Sequence, residues 1–143
     1  MLLATPVVAQ SIAVSGAAAH PGAIAFDALK AMPPVTVTVS QQTDRGPASG
    51  SFTGVLLWTL IQNAAPIDAP GKNGYLRHTF LIEGSDGYAA AISQGEIDPR
   101  LEGKQIILAW SKDDQPLAAP ELVVPGDAHA ARRVHDVAGI VIQ

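Results

Sequence analysis

Residues Val35–Val39 read Val-Thr-Val-Thr-Val. Valine and threonine alternate strictly, so one face of this segment is apolar and the other polar. β-Branched residues also favour the extended backbone. A strand of this kind needs sheet neighbours and a core on one side. The rest of the chain is cut to suit a sheet protein, because 13 glycines and 11 prolines divide it into short segments bounded by turn signals.

Those segments can be read in order. Ser11–Ser15 alternates and predicts a short strand closed by Gly16, and Ala17–Ala25 carries the turn signal His20-Pro21-Gly22. Phe26, Leu29 and Met32 recur at helical spacing before Pro33-Pro34 stops the run. Gln41–Ser51, with Gly46, Pro47 and Gly50, reads as a loop. Gly54 is expected to let the backbone turn into a helix over Leu56–Asn63, where Leu56, Leu57, Leu60 and Ile61 share one face. Ala64–Gly74 is a second loop. Arg77–Glu83 and Tyr88–Ser93 flank Gly84-Ser85-Asp86-Gly87 and predict a hairpin. Gln94–Pro99 is a loop or short helical turn. Gln105–Trp110 is a buried strand ending at Trp110, and Leu122–Val124 is a short strand cut by Pro125-Gly126. His129–Arg133 is a loop, and Val137–Ile142 is the last strand. The sum is seven or eight strands and two short helices with no βαβ rhythm: an α+β, mainly β, single domain with mixed sheets.

Composition narrows the function classes. The chain has 143 residues and no cysteine. A chain of this size buries roughly 70% of its unfolded surface, so it folds without disulfide or metal support. Without cysteine there is no disulfide, thiolate zinc site, iron–sulfur cluster or cysteine nucleophile. The net charge is −4 and no basic stripe is present, so nucleic acid is not an expected partner. No long apolar run follows the start of the chain, so no direct membrane insertion is expected. Residues 1–10, Met-Leu-Leu-Ala-Thr-Pro-Val-Val-Ala-Gln, read as the remnant of a signal peptide with cleavage after Ala9, or alternatively as an apolar first strand. The first reading puts the protein in the periplasm or otherwise outside the cytoplasm, with residues 11–143 as the working domain. The chain carries no GxSxG, no phosphate-binding Walker loop and no dinucleotide fingerprint, and nothing marks a paired-carboxylate sugar cleft.

Several segments then fall in a telling order. They are Val35–Val39, Phe52-Thr53-Gly54-Val55 with Leu57 and Leu60, Ser85-Asp86-Gly87-Tyr88, and Ile107-Leu108-Ala109-Trp110. Asp114-Gln115-Pro116-Leu117, Leu122-Val123-Val124-Pro125-Gly126-Asp127 and a closing strand complete the series. This series resembles the molybdopterin-binding domain of sulfite oxidases and related reductases, and most of all its small, stand-alone, exported members. The resemblance spans residues 11–143 and implies the sulfite oxidase fold. In that family a cysteine after the strand matching Val35–Val39 binds molybdenum. Here the place holds Ser40-Gln41-Gln42, with Gln41 the best match. A neutral carboxamide does not replace a soft thiolate, so no molybdenum and no sulfite-oxidase turnover are expected, and no cofactor is obligatory.

What the resemblance leaves is a cleft shaped for a pterin or molybdopterin-like ligand, between the loops after Val39, Gly84 and Pro125. A pterin needs an aromatic plane, hydrogen-bonding groups at its edge, and cations for any phosphate tail. Gln41, Gln42 and Arg45 continue from the alternating strand. Asp86 and Tyr88 follow the hairpin turn, and Tyr88 or Trp110 can supply the plane. His129, Arg132, Arg133 and His135 form a local cationic cluster, and the resemblance makes Arg132 the best match to a cofactor-facing basic residue. Each also has a plainer reading: solvated loop polars for Gln41 and Gln42, a turn residue for Asp86, core for Trp110, and ion pairs with Asp127 or Asp136 for the arginines. The expected function is a non-catalytic pterin-binding module, which the resemblance links to sensing and to a membrane receptor's periplasmic domain as partner. The alternatives are a molybdopterin-dependent oxidoreductase or a subunit of one, and an interaction domain with an empty cleft.

Overall fold

Two sheets take up the short alternating segments. The computed structural model describes residues 10–143; the signal-peptide reading, Gln10 apart, lies outside the described residues. The elements are β1 (Ser11–Gly16), β2 (Gly22–Ala25), α1 (Phe26–Leu29), β3 (Val35–Thr43), β4 (Gly46–Leu56) and α2 (Leu57–Ala64). They continue with β5 (Thr79–Gly84), β6 (Ala89–Ser93), α3 (Gln94–Ile97), β7 (Ile107–Lys112), β8 (Gln115–Val123) and β9 (Val137–Ile142). One sheet has the order β2-β1-β9-β5-β6 and the other β3-β4-β7-β8. The first is mixed, because β9 runs parallel to β1 and antiparallel to β5. The fold is therefore α+β and mainly β, as the sequence leads one to expect.

The main core lies between the sheets and α2. Ile12, Phe80, Ile82, Ile92, Ile140 and Ile142 of the mixed sheet pack with Leu57, Leu60 and Ile61 of α2 and with Val55 and Leu108 of the antiparallel sheet. The opposite face of that second sheet carries its own cluster of Val37, Val39, Phe52, Ile107, Ala109 and Val123. β7 is thus covered on both faces, which is why its sequence is a continuous apolar run rather than an alternating one. Two sheets joined around one core also bring their end loops together, and this positions the site.

Several expected elements differ. Gln41–Ser51 is not a loop. β3 continues to Thr43 and β4 begins at Gly46, with Gln41 opposite Ala48 and Gln42 opposite Pro47. The period-two rhythm carries on past Val39, so Gln41 shares the buried face of Val37 and Val39. A hairpin of small and polar residues lacks the apolar signature, and its turn is closed locally: the Thr43 hydroxyl donates to the Gly46 carbonyl at 2.7 Å and accepts from the Arg45 N–H. β8 reaches back to Gln115 through Pro116 and Pro120. It is the edge of its sheet, where proline's missing N–H is tolerated. Gly22–Ala25 is a strand rather than part of a turn. The helix at Phe26 stops at Leu29, while Gln94–Ile97 takes the short helical turn that was one of its two expected forms. Trp110 does not end its strand, which runs on to Lys112.

Gly54 does not serve the entry to α2. It sits inside β4, where an added Cβ would lie 2.0 Å from the Leu108 carbonyl oxygen. The ladder to β7 shifts register there, so the glycine allows two backbones to close up at a bulge. The Asp113-Asp114 turn holds φ of 49° and 62°, the pattern of a two-residue hairpin turn that aspartate tolerates.

Candidate functional site

The turn after Gly84, the β3–β4 turn and the segment after Pro125 meet at one end of the molecule. They enclose an open groove of about 530 Å³ lined by Thr43, Asp44, Asp86, Tyr88, His129, Arg133 and His135, with Ala130 and Ala131. The placement follows from backbone bonding. The Gln42 N–H donates to the Ala128 carbonyl at 2.9 Å, and Gln42 forms a parallel bridge with His129. The end of β3 therefore carries the His129 segment. On the other side, the Tyr88 hydroxyl donates to the Ala131 carbonyl, which ties the β5–β6 turn to the same segment. The Asp86 carboxylate accepts from the Tyr88 N–H at 3.0 Å, an Asx-type turn that fixes the start of β6.

The cations of this segment have distinct partners. Arg132 donates through Nε and Nη2 to Asp127, both at 2.9 Å, and through Nη1 to Glu96 at 2.8 Å. These bonds hold its guanidinium above its ordinary range, with the Asp127 hydrogen bonds the leading cause. The same bonds hold Asp127 below the usual carboxylate range. Burial pushes Glu96 up, but the Ser93 N–H, Arg132 and Lys104 outweigh it, and its net direction is down. Glu96 also closes the capping box of α3 with Ser93, so Arg132 ties the basic segment to a helix start.

Arg133 donates through Nε to Glu121, and its guanidinium lies 4.7 Å from the centre of the Phe52 ring. Glu121 is buried on β8, and His135 Nδ1 lies 3.4 Å from the same carboxylate oxygen. His129 Nε2 sits 3.8 Å from Asp44. The groove lining thus combines Arg133 and His135, both held against the buried Glu121, with His129, Asp44, Asp86 and Tyr88.

Of the residues singled out from sequence, Asp86, Tyr88, His129, Arg133 and His135 line this groove. Gln41, Gln42, Arg45, Trp110 and Arg132 do not. Gln41 is buried and its Nε2 donates to the Val124 carbonyl at 2.9 Å. Gln42 contributes its backbone while its side chain is exposed. Arg45 is exposed at the tip of the hairpin. Trp110 packs against the main core. Glu121 and Glu96 escaped notice. A charged residue inside Pro120-Glu121-Leu122-Val123-Val124 was a usable signal, since a carboxylate in an apolar strand requires a partner. Among the described residues, no cluster of three or more His, Cys, Asp or Glu is placed to hold a metal ion.

No family model matches the chain, and no curated protein matches it by sequence. Its fold is similar to that of the sulfane dehydrogenase SoxCD from Paracoccus pantotrophus, with a TM-score of 0.76 and 17% identity over 93% of this chain. The match takes in 38% of the SoxCD chain, so this domain corresponds to well under half of that protein. The likeness covers nearly the whole domain and bears out the expected sulfite-oxidase type of fold; at this identity it speaks for fold alone.

Proposed function

We propose that the domain binds a pterin in the groove formed by the β3–β4 turn, the β5–β6 turn and the His129–His135 segment, and that it does no chemistry on it. The observation that carries this reading is the convergence of one aromatic ring, two carboxylates and three potential donors on a groove of about 530 Å³, within the usual range for a small-molecule site. The 2-amino-4-oxo edge of a pterin presents adjacent N–H donors, which a carboxylate such as Asp86 or Asp44 accepts as a pair. Tyr88, anchored through its hydroxyl, offers a flat face. Arg133 and the two histidines offer donors to the ring oxygen.

The molybdenum-bearing form of the cofactor does not fit these residues. The chain has no thiol, and the carboxamide at the matching position is buried and donates to a carbonyl. A phosphate tail fits poorly too, because Arg132 is bound by Asp127 and Glu96 outside the groove and the groove itself sets the carboxylates of Asp44 and Asp86 beside Arg133. The ligand in this proposal is thus an unphosphorylated pterin. A role outside the cytoplasm, with the loaded domain read by a membrane receptor, extends the same proposal.

The second reading is an oxidoreductase or a subunit of one, favoured by the fold shared with a dehydrogenase. Metal analysis of protein from a host that makes the molybdenum cofactor separates the two: stoichiometric molybdenum contradicts the binding-module reading. Fluorescence titration with tetrahydropterin and its oxidised form tests the reading directly. Saturable binding is expected, and its absence at hundreds of micromolar, an affinity weaker than about −5 kcal/mol, points to an interaction domain with an empty groove.

A further inference from the structure

A second groove, of about 490 Å³, lies beside α2 and shares no lining residue with the first. We infer that it is a separate ligand site, built for a neutral polyhydroxylated ring such as a pyranose. Trp58 and Gln62 line it from α2; four residues apart, they share one helix face. Asp68, Tyr75, Asp98 and Arg100 are among the other residues that line it.

The arginine is held in a set orientation. Its Nε and Nη2 donate to the two oxygens of Asp98 at 3.0 and 2.7 Å, and its guanidinium lies 4.5 Å from the centre of the Tyr75 ring. Asp98 is completely buried and also accepts from Gln94 Nε2 and from the Arg100 N–H. The pair is buried on the Asp98 side alone, so the guanidinium is anchored from below and open to the groove. It fixes a planar donor group at the groove wall, where the Arg100 side chain keeps 64% of its surface exposed. On the same wall Asp68 is fixed by the buried His78, whose Nε2 lies 2.8 Å away.

The chemistry of the lining selects the ligand class. Asp68 and Asp98 set two carboxylates against the single guanidinium of Arg100, which disfavours phosphate, sulfate or a carboxylate. Gln62, Asp68, Gln94 and Arg100 in the lining disfavour an apolar ligand. A hydroxyl both donates and accepts, and Asp68, Gln62 and Arg100 together offer both functions within one groove. Trp58, half-buried, supplies an apolar plane for the C–H face of a ring.

The chain has two tryptophans, so the indole N–H of Trp58 is distinguishable from that of Trp110 in a 1H–15N spectrum of the whole protein. Titration with maltotriose, cellotriose and chitotriose should move the Trp58 signal saturably for at least one sugar, with millimolar affinity and with Trp110 unmoved. Gln62→Ala, which alters an exposed side chain, should weaken that binding about fivefold, the loss of one hydrogen bond. The inference is overturned if all three sugars leave Trp58 in place, if choline or inorganic phosphate alone moves it, or if Gln62→Ala leaves the affinity unchanged.

Discussion

Arg132 reaches Asp127 and Glu96 with three nitrogens, whereas its neighbour Arg133 reaches Glu121 through Nε and lies across Phe52 at the groove. In sequence the two form one basic pair. In the fold the first joins the loop to the start of α3, and the second faces the space a ligand would take. Adjacent like charges thus serve different ends, and the difference is set by which carboxylate each can reach.

Breaking the first side should have the largest effect. Arg132→Ala leaves Asp127 without its main partner and Glu96 without one of its partners, and we expect a loss of about 2 kcal/mol in urea unfolding. Pterin affinity of the folded variant should change little. A variant as stable as the parent but deficient in pterin binding would reverse the assignment.

Breaking the second side should show in binding. Arg133→Ala removes a charged donor from the groove, and pterin affinity should fall about tenfold, the worth of one charge-assisted hydrogen bond. Stability should fall as well, because Glu121 is buried and keeps only the exposed His135 beside it, so pterin affinity is the readout that separates the two variants.

How much of this was legible in the sequence depends on the distance between partners. Val35–Val39 announced a strand because alternation is a local property. The hairpin beyond it was hidden, since Ser49, Gly50 and Ser51 look like loop residues and are held as a strand by pairing with Ser40, Val39 and Thr38 in turn. β8 was cut short because proline argues against a strand unless its edge position is known. At the site, the turn residues Asp86 and Tyr88 and the cluster from His129 to His135 could be picked out, while the roles within the cluster could not. Glu96 lies 36 residues from Arg132, and no sequence pattern links them. Gln41 is singled out by the resemblance as the match to a ligand position at a strand end; because β3 continues to Thr43, its side chain instead turns inward.

Acid sharpens the comparison further. Asp127 and Glu96 are held below their ordinary values of 3.8 and 4.5, so the unfolded chain takes up protons first. Their contribution is complete above those values and is lost as pH falls through the lower folded ones. The unfolding midpoint should therefore drop as pH is lowered from about 5 to about 3. In Arg132→Ala this slope should flatten, leaving a remainder from Asp98, which Arg100 holds low in the same way. An unchanged slope in the variant argues against the Arg132 network as its source.

The smallest effect is expected at Gln41. Gln41→Ala removes one buried side-chain bond to the Val124 carbonyl and should cost about 1 kcal/mol in unfolding. Pterin affinity should be unaffected, in contrast to Arg133→Ala.

Residue-by-residue mapping of bound tetrahydropterin by 1H–15N spectroscopy tests the central claim most directly. Backbone signals of Asp86, Tyr88, His129 and His135 should move together and saturate with one affinity, while those of Gln41 and Trp110 stay in place. Movement centred on Gln41 or Trp110, or no saturable movement anywhere, would contradict a pterin site in the groove between the two turns and the His129–His135 segment.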